Sequence, residues 1–165
     1  MTLTTVIKTN PAFLRRTIEL AGQRMHGGHG GPFGALVAKG SEVIAEGWNR
    51  VTSTNDPTAH AEILALRKAA AAMGNYRLGG VTMYVSLEPC PMCAGALVWA
   101  RVKRLVFGAR DPKAGALGSV MDLANQPELN HHPVVQGGLM AEESAGLLKD
   151  FFAEKRKSAA AKIGN

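Results

Sequence analysis

The chain has 165 residues, 46% apolar and 19% charged, which predicts one compact domain able to bury a core without covalent staples. Two cysteines exclude a disulfide framework, no apolar run reaches membrane-spanning length, and residues 1–10 lack a basic-then-apolar signal layout, so a reducing cytoplasm is the expected location. The formal net charge of +6 suits an anionic partner, nucleic acid first among them, or simply a soluble basic surface.

Asn10-Pro11 supplies an N-cap followed by proline at the first helical position. Leu14, Ile18, Ala21 and Met25 then recur at helical spacing, predicting a first amphipathic helix. Gly27–Gly31 breaks it, and without a Gly-Lys-Ser/Thr sequence it is a connector rather than a phosphate loop. Short apolar runs at 35–38 and 43–48 flank Gly40-Ser41, predicting a hairpin. Asp56-Pro57-Thr58 is expected to open a helix running to about Met73, with Ile63, Leu66, Ala70 and Met73 on one face. Residues 81–87 are β-rich and alternating, a third strand. Residues 91–102 are expected as a helix, 104–109 as a fourth strand, 111–119 as a loop and Val134-Val135 as a short fifth strand. A final helix runs from Ala141 to about Lys157, apolar at Leu147, Leu148, Phe151 and Phe152. Alternating helices and strands predict a layered α/β domain over 11–157, with flexible segments at 1–10 and 158–165.

The two cysteines sit in Pro89-Cys90-Pro91-Met92-Cys93, downstream of His60-Ala61-Glu62. Both pieces fall near expected helix starts, where free backbone N–H groups and the positive dipole end favour anions. Thiols there are acidified, and the thiolate is the form that ligates zinc. His60, Cys90 and Cys93 would give three ligands and leave a fourth tetrahedral position for water, the layout of a catalytic zinc. Glu62 is the natural proton carrier beside that metal, not a fourth ligand. Three other readings stay open: a dithiol redox pair, buried apolar cysteines with a helix-start histidine, and a purely structural zinc, as in a non-enzymatic RNA-binding module. The redox reading leaves His60 and Glu62 without a role.

The combination His-x-Glu followed by Pro-Cys-x-x-Cys is the pattern of zinc-dependent nucleobase deaminases. Asp56-Pro-Thr-Ala-His-Ala-Glu62, Asn75-Tyr-Arg-Leu78, Leu87-Glu-Pro-Cys90, Met92-Cys-Ala-Gly95 and Val106-Phe-Gly-Ala-Arg-Asp111 resemble bacterial tRNA-specific adenosine deaminases, within the cytidine deaminase superfamily. Lys113, Gly115-Ala116, Gly118-Ser119, Asn130-His131 and Asp150-Phe-Phe152 extend the match, which spans roughly residues 46–157. The resemblance implies a three-layer αβα fold with a five-stranded mixed sheet, one Zn2+ per subunit, a homodimer, and conversion of the wobble adenosine of a tRNA anticodon stem-loop to inosine. Carried over, His60, Cys90 and Cys93 hold zinc and Glu62 shuttles protons. Asn49 would bond the target base, or serve only as a turn residue after a strand. Ala61, Pro89, Arg110, Asp111, Lys113 and Phe152 are further expected substrate contacts, as is Phe33, which lies outside the match and would line the pocket or sit in the core.

The N-terminal third departs from that pattern. Gly30-Gly-Pro-Phe-Gly-Ala35, Ser53-Thr-Asn-Asp-Pro57, Pro91 and Trp99-Ala-Arg101 resemble guanine deaminases of the same superfamily, so free guanine or another purine is the alternative substrate. The loop after the fourth strand and the last helix are of the tRNA type and weigh more. A loop RNA would be held by cations and stacking, with Arg110, Lys113, Lys155, Arg156 and Lys157 as candidate phosphate contacts. Trp99, on an apolar helix, is expected in the core.

Overall fold

A computed structural model describes residues 9–164. Five strands form one mixed sheet in the order β2-β1-β3-β4-β5, with β1 spanning Gly34–Lys39, β2 Glu42–Trp48, β3 Thr82–Leu87, β4 Arg104–Ala109 and β5 Val134–Gln136. β1 is antiparallel to both β2 and β3, whereas β3, β4 and β5 run parallel. The helices are α1 (Pro11–Arg24), the single turn α2 (Val51–Thr54), α3 (Ala61–Met73), α4 (Pro91–Trp99) and α5 (Ala141–Ile163). This is the three-layer α/β fold anticipated from the sequence. Among the described residues no helix is long and apolar enough to cross a membrane.

Strand alternation divides the core in two. Ala35, Val37, Met83, Val85, Leu105 and Phe107 face α3 and α4, packing with Ala61, Ala65, Ala69, Ala94 and Leu97. Leu36, Ala38, Tyr84 and Val106 face the opposite way, against Leu14 of α1. α5 joins that second layer, contacting β4 and α1. The layer spacing depends on two glycines. A Cβ on Gly34 would lie 2.1 Å from the Thr17 carbonyl oxygen, and one on Gly47 2.4 Å from that of Ala61. Both helix backbones therefore ride directly on the sheet.

Several boundaries differ from expectation for identifiable reasons. The Asp56 signal builds an Asx turn instead of a helix start. Its Oδ1 accepts from the Thr58 N–H at 2.8 Å and from the Thr58 hydroxyl at 2.7 Å, and α3 begins only after His60. On α3 the expected Leu66 is buried and Ala70 and Met73 pack against the core, but the most buried line is Ala61, Ala65 and Ala69, small side chains that fit where Gly47 meets the helix. α4 stops at Trp99 rather than Val102. Arg101 takes a left-handed φ of 59°, and the Val102 N–H to Leu97 carbonyl bond (3.2 Å) and Arg101 N–H to Val98 carbonyl bond (3.1 Å) close a Schellman end. α5 continues to Ile163, so most of the segment expected as a tail is helical, in keeping with its alanines and lysines. Residues 1–8 of the expected flexible N-terminal segment lie outside the described residues. Thr9 and Asn10 are tied down, the first to Gln136 and the second to the Tyr84 hydroxyl.

Candidate active site

Two helix starts face each other across the C-terminal end of β3. His60 is the N-cap of α3 and Cys90 the N-cap of α4, both in extended backbone, and neither uses its side chain to cap. Each side chain is thereby free to turn towards the other helix. Cys93 is one turn further into α4 and fully buried. His60 Nδ1 lies 3.7 Å from Cys90 Sγ and 3.5 Å from Cys93 Sγ, and all three donor atoms fall within 4.8 Å of one another. Around a tetrahedral zinc with ordinary bond lengths, the nitrogen–sulfur edge is about 3.6 Å. The three residues therefore fit a zinc ion and leave one position of the tetrahedron without a protein donor.

The two thiols differ in acidity. A hydrogen bond from Cys93, helped by His60, lowers the Cys90 thiol to about 4, while the same bond and burial push Cys93 up. The Cys90 thiolate in turn raises His60. Glu62 is only 8% exposed, and burial holds its carboxyl above the usual range despite the opposing pull of His60. A carboxyl beside the ligands, raised by burial, has the chemistry of a proton carrier.

His60, Glu62 and Cys90 open onto a cavity of about 160 Å3 that Phe33, Asn49 and Asp111 also line. Asn49 accepts from the Val51 N–H at 3.2 Å, and its own N–H donates to the Phe33 carbonyl, so it serves the turn after β2 while lining the cavity. The glycine loop expected as a mere connector has a packing role here. Cβ atoms on Gly30 and Gly31 would press on Asn49 at 3.0 Å and Phe33 at 2.2 Å. Asp111 is held by its own turn, with Oδ1 accepting from the N–H groups of Lys113 and Ala114.

Through Phe33, Leu87 and Asp111 this cavity meets a broader groove of about 660 Å3. Arg110, Lys113, Lys149 and Arg156 give it a cationic rim, while Leu148 and Phe152 add apolar wall. Arg110, Lys113 and Phe152 thus stand at the groove and not at the metal ligands. Ala61 and Pro89 are buried and line neither space: Ala61 seats α3 on Gly47, and the Pro89 carbonyl accepts from the Ala116 N–H at 2.8 Å. Lys155 lies over the Phe151 ring and Lys157 is exposed, both outside the groove lining. Trp99 is 72% exposed and so is not a core residue. Ser86, Glu88 and Lys149 were not singled out from the sequence. Ser86 bonds the Gly34 N–H at 3.1 Å beside the cavity, a job that strand alternation alone does not reveal.

The MafB19-like deaminase family model matches residues 10–156. A tRNA-specific adenosine deaminase of Agrobacterium fabrum is 49% identical over 125 residues, covering 76% of this chain and 82% of that protein. A guanine deaminase of Bacillus subtilis is also 49% identical, over 106 residues, covering 64% and 68%. A solved structure from studies of A-to-I editing by tRNA:A34 deaminases superposes with a TM-score of 0.81 at 42% identity, covering 84% of this chain and all of that one.

Proposed function

The chain belongs to the MafB19-like deaminase family, and from that premise we propose that it hydrolytically deaminates adenosine to inosine at the wobble position of a tRNA anticodon. The observation that carries this reading is the continuity of the two cavities. A narrow pocket at the metal ligands suits one extruded base, and the cationic groove joined to it suits the flanking phosphates. A free purine would need only the first. The guanine deaminase of Bacillus subtilis, 49% identical over 106 residues, keeps that second reading alive.

His60, Cys90 and Cys93 would hold one zinc, which when bound supplies a polarised water for addition at C6 of the base. Glu62 takes a proton from that water and delivers it to the ring nitrogen N1. It then carries the second proton to the exocyclic amine, which leaves as ammonia while C6 keeps the oxygen. Asn49 Oδ1 is engaged by Val51, so Nδ2 is the end left to donate to the base. Phe33 stands where the two cavities join and walls both. The reaction consumes one water and releases one ammonia per inosine.

We further propose that the working unit is a homodimer in the cytoplasm. Met92 and Trp99 lie two turns apart on the exposed side of α4, 36% and 72% exposed, with Val120 and Met121 also exposed. A second copy is the partner that would cover them. Trp99→Glu should then give a monomer in sedimentation, and an unchanged mass would remove this part of the proposal.

Substrate choice is tested by offering the zinc-loaded protein an anticodon stem-loop with a wobble adenosine beside free guanine and free adenosine. Conversion of the stem-loop supports the tRNA reading. Ammonia from guanine with the stem-loop intact favours the free-purine reading. A Glu62→Ala protein that retains zinc yet loses activity separates an enzyme from an RNA-binding module with a structural zinc.

A further inference from the structure

The structure assigns a positioning role to Glu88, a residue no chemical step above uses. It stands between the end of β3 and the Pro89-Cys90 turn, and its side chain is fully buried at the edge of the metal cavity. Oε1 accepts from the Ser119 hydroxyl at 2.6 Å and from Arg110 Nη1 at 3.4 Å. Oε2 makes no hydrogen bond among the described residues. It lies instead against Gly115, where any Cβ would come within 1.6 Å of it.

A buried carboxylate paired on one oxygen only is a poor device for stability. Its partners indicate another use. Arg110 and Ser119 bound the loop from Arg110 to Ser119, and Gly115 is its midpoint. The same loop carries Asp111 and Lys113 to the groove. The Ala116 N–H to Pro89 carbonyl bond (2.8 Å) and the Glu88 N–H to Ala109 carbonyl bond (2.9 Å) run alongside. Glu88 thus joins the phosphate-facing loop to the turn that carries Cys90. It also fixes one end of the Arg110 guanidinium, whose side chain is otherwise 59% exposed and rests on the Phe107 ring. Glu88 holds the groove's cations in register with the metal pocket, and through them sets how well a polynucleotide binds. This rests on the polynucleotide reading of the groove.

The test compares full-length, zinc-loaded wild type, Glu88→Gln, Ser119→Ala and, as a control for lost stability, Leu14→Ala in the opposite core. Two readouts are used: kcat and KM on the stem-loop, and the rate of tryptic cleavage after Lys113. Glu88→Gln keeps the shape but removes the negative charge that faces Arg110. It should raise KM roughly tenfold, the usual scale for one charge-assisted hydrogen bond, with kcat nearly unchanged and one zinc retained. Cleavage after Lys113 should accelerate in both loop variants and not in Leu14→Ala at a matched loss of Tm. Unchanged KM and unchanged cleavage in Glu88→Gln would overturn the assignment, as would an equal KM rise in Leu14→Ala. A wild type silent on the stem-loop would refute the substrate reading and the KM claim with it, and the cleavage rates would still decide whether Glu88 holds the loop.

Discussion

Gly47 and Ala61 lie so close that a Cβ on the glycine would sit 2.4 Å from the alanine's carbonyl oxygen. That contact fixes the height of the first turn of α3, and the first turn of α3 carries His60 and Glu62. Gly47→Ala must therefore displace the helix start or the strand. Overpacking of this kind costs about 1–3 kcal/mol. The expected result is weakened zinc retention and a fall in turnover larger than the loss of Tm explains. Gly79→Ala, with open space around it, is the matched control, and equal effects in the two variants would refute the seating role.

Glu62 is the only carboxylate assigned to proton transfer, and it is not among the three donor residues that gather as a metal site. Glu62→Gln should keep one zinc per chain while turnover falls by about 10²–10⁴-fold. Cys93→Ala should lose the metal itself. Metal analysis beside single-turnover rates distinguishes the two, and zinc loss in Glu62→Gln would mean that Glu62 is a ligand.

The groove rim predicts a salt dependence. If Arg110 and Arg156 each neutralise a phosphate, stem-loop affinity should fall steeply with salt. Each Arg→Ala change should lower the log–log slope by about 0.7–0.9. Lys157, outside the groove lining, should leave the slope unchanged on substitution. Equal slopes in all variants would place the RNA elsewhere.

Asp56 gives a pH signature. The Thr58 hydroxyl and N–H, with Arg67 nearby, hold its carboxyl below the usual carboxylate value. The folded state thus prefers the charged form, so its contribution is complete above the unfolded value and is lost as pH falls through the folded one. The Tm gap between wild type and Asp56→Asn should shrink as pH drops from about 5 to about 3. A gap independent of pH would show that the carboxyl is not favoured in the fold.

The gathering of His60, Cys90 and Cys93 could be read from the chain because two short motifs carry it. Cys90 and Cys93 share one helical turn, and His60 announces itself through Glu62 two residues on. Strand positions were equally legible, as short apolar runs at 82–87 and 104–109 that are buried almost throughout. What escaped depends on neighbours distant in sequence. The line of Ala61, Ala65 and Ala69 on α3 fits Gly47 in another element, which α3's own apolar pattern does not show. Asp56 bears the same signal whether it caps a helix or an Asx turn. α4 is apolar nearly all round, so its pattern does not say which side meets the sheet, and Trp99 proved to be outside. Glu88 reads as an ordinary acid beside the cysteine turn, and only the arrival of Arg110, Gly115 and Ser119 turns it into a buried anchor.

The most direct measurement is the site-resolved product of the zinc-loaded protein on a stem-loop whose loop adenosine lies at the wobble position, read by mass after nuclease digestion alongside ammonia release. Inosine at that position, with one ammonia per inosine and no ammonia from guanine, is the predicted result. An unaltered stem-loop together with ammonia from guanine would contradict the account, leaving the metal site as described and the groove without its proposed ligand.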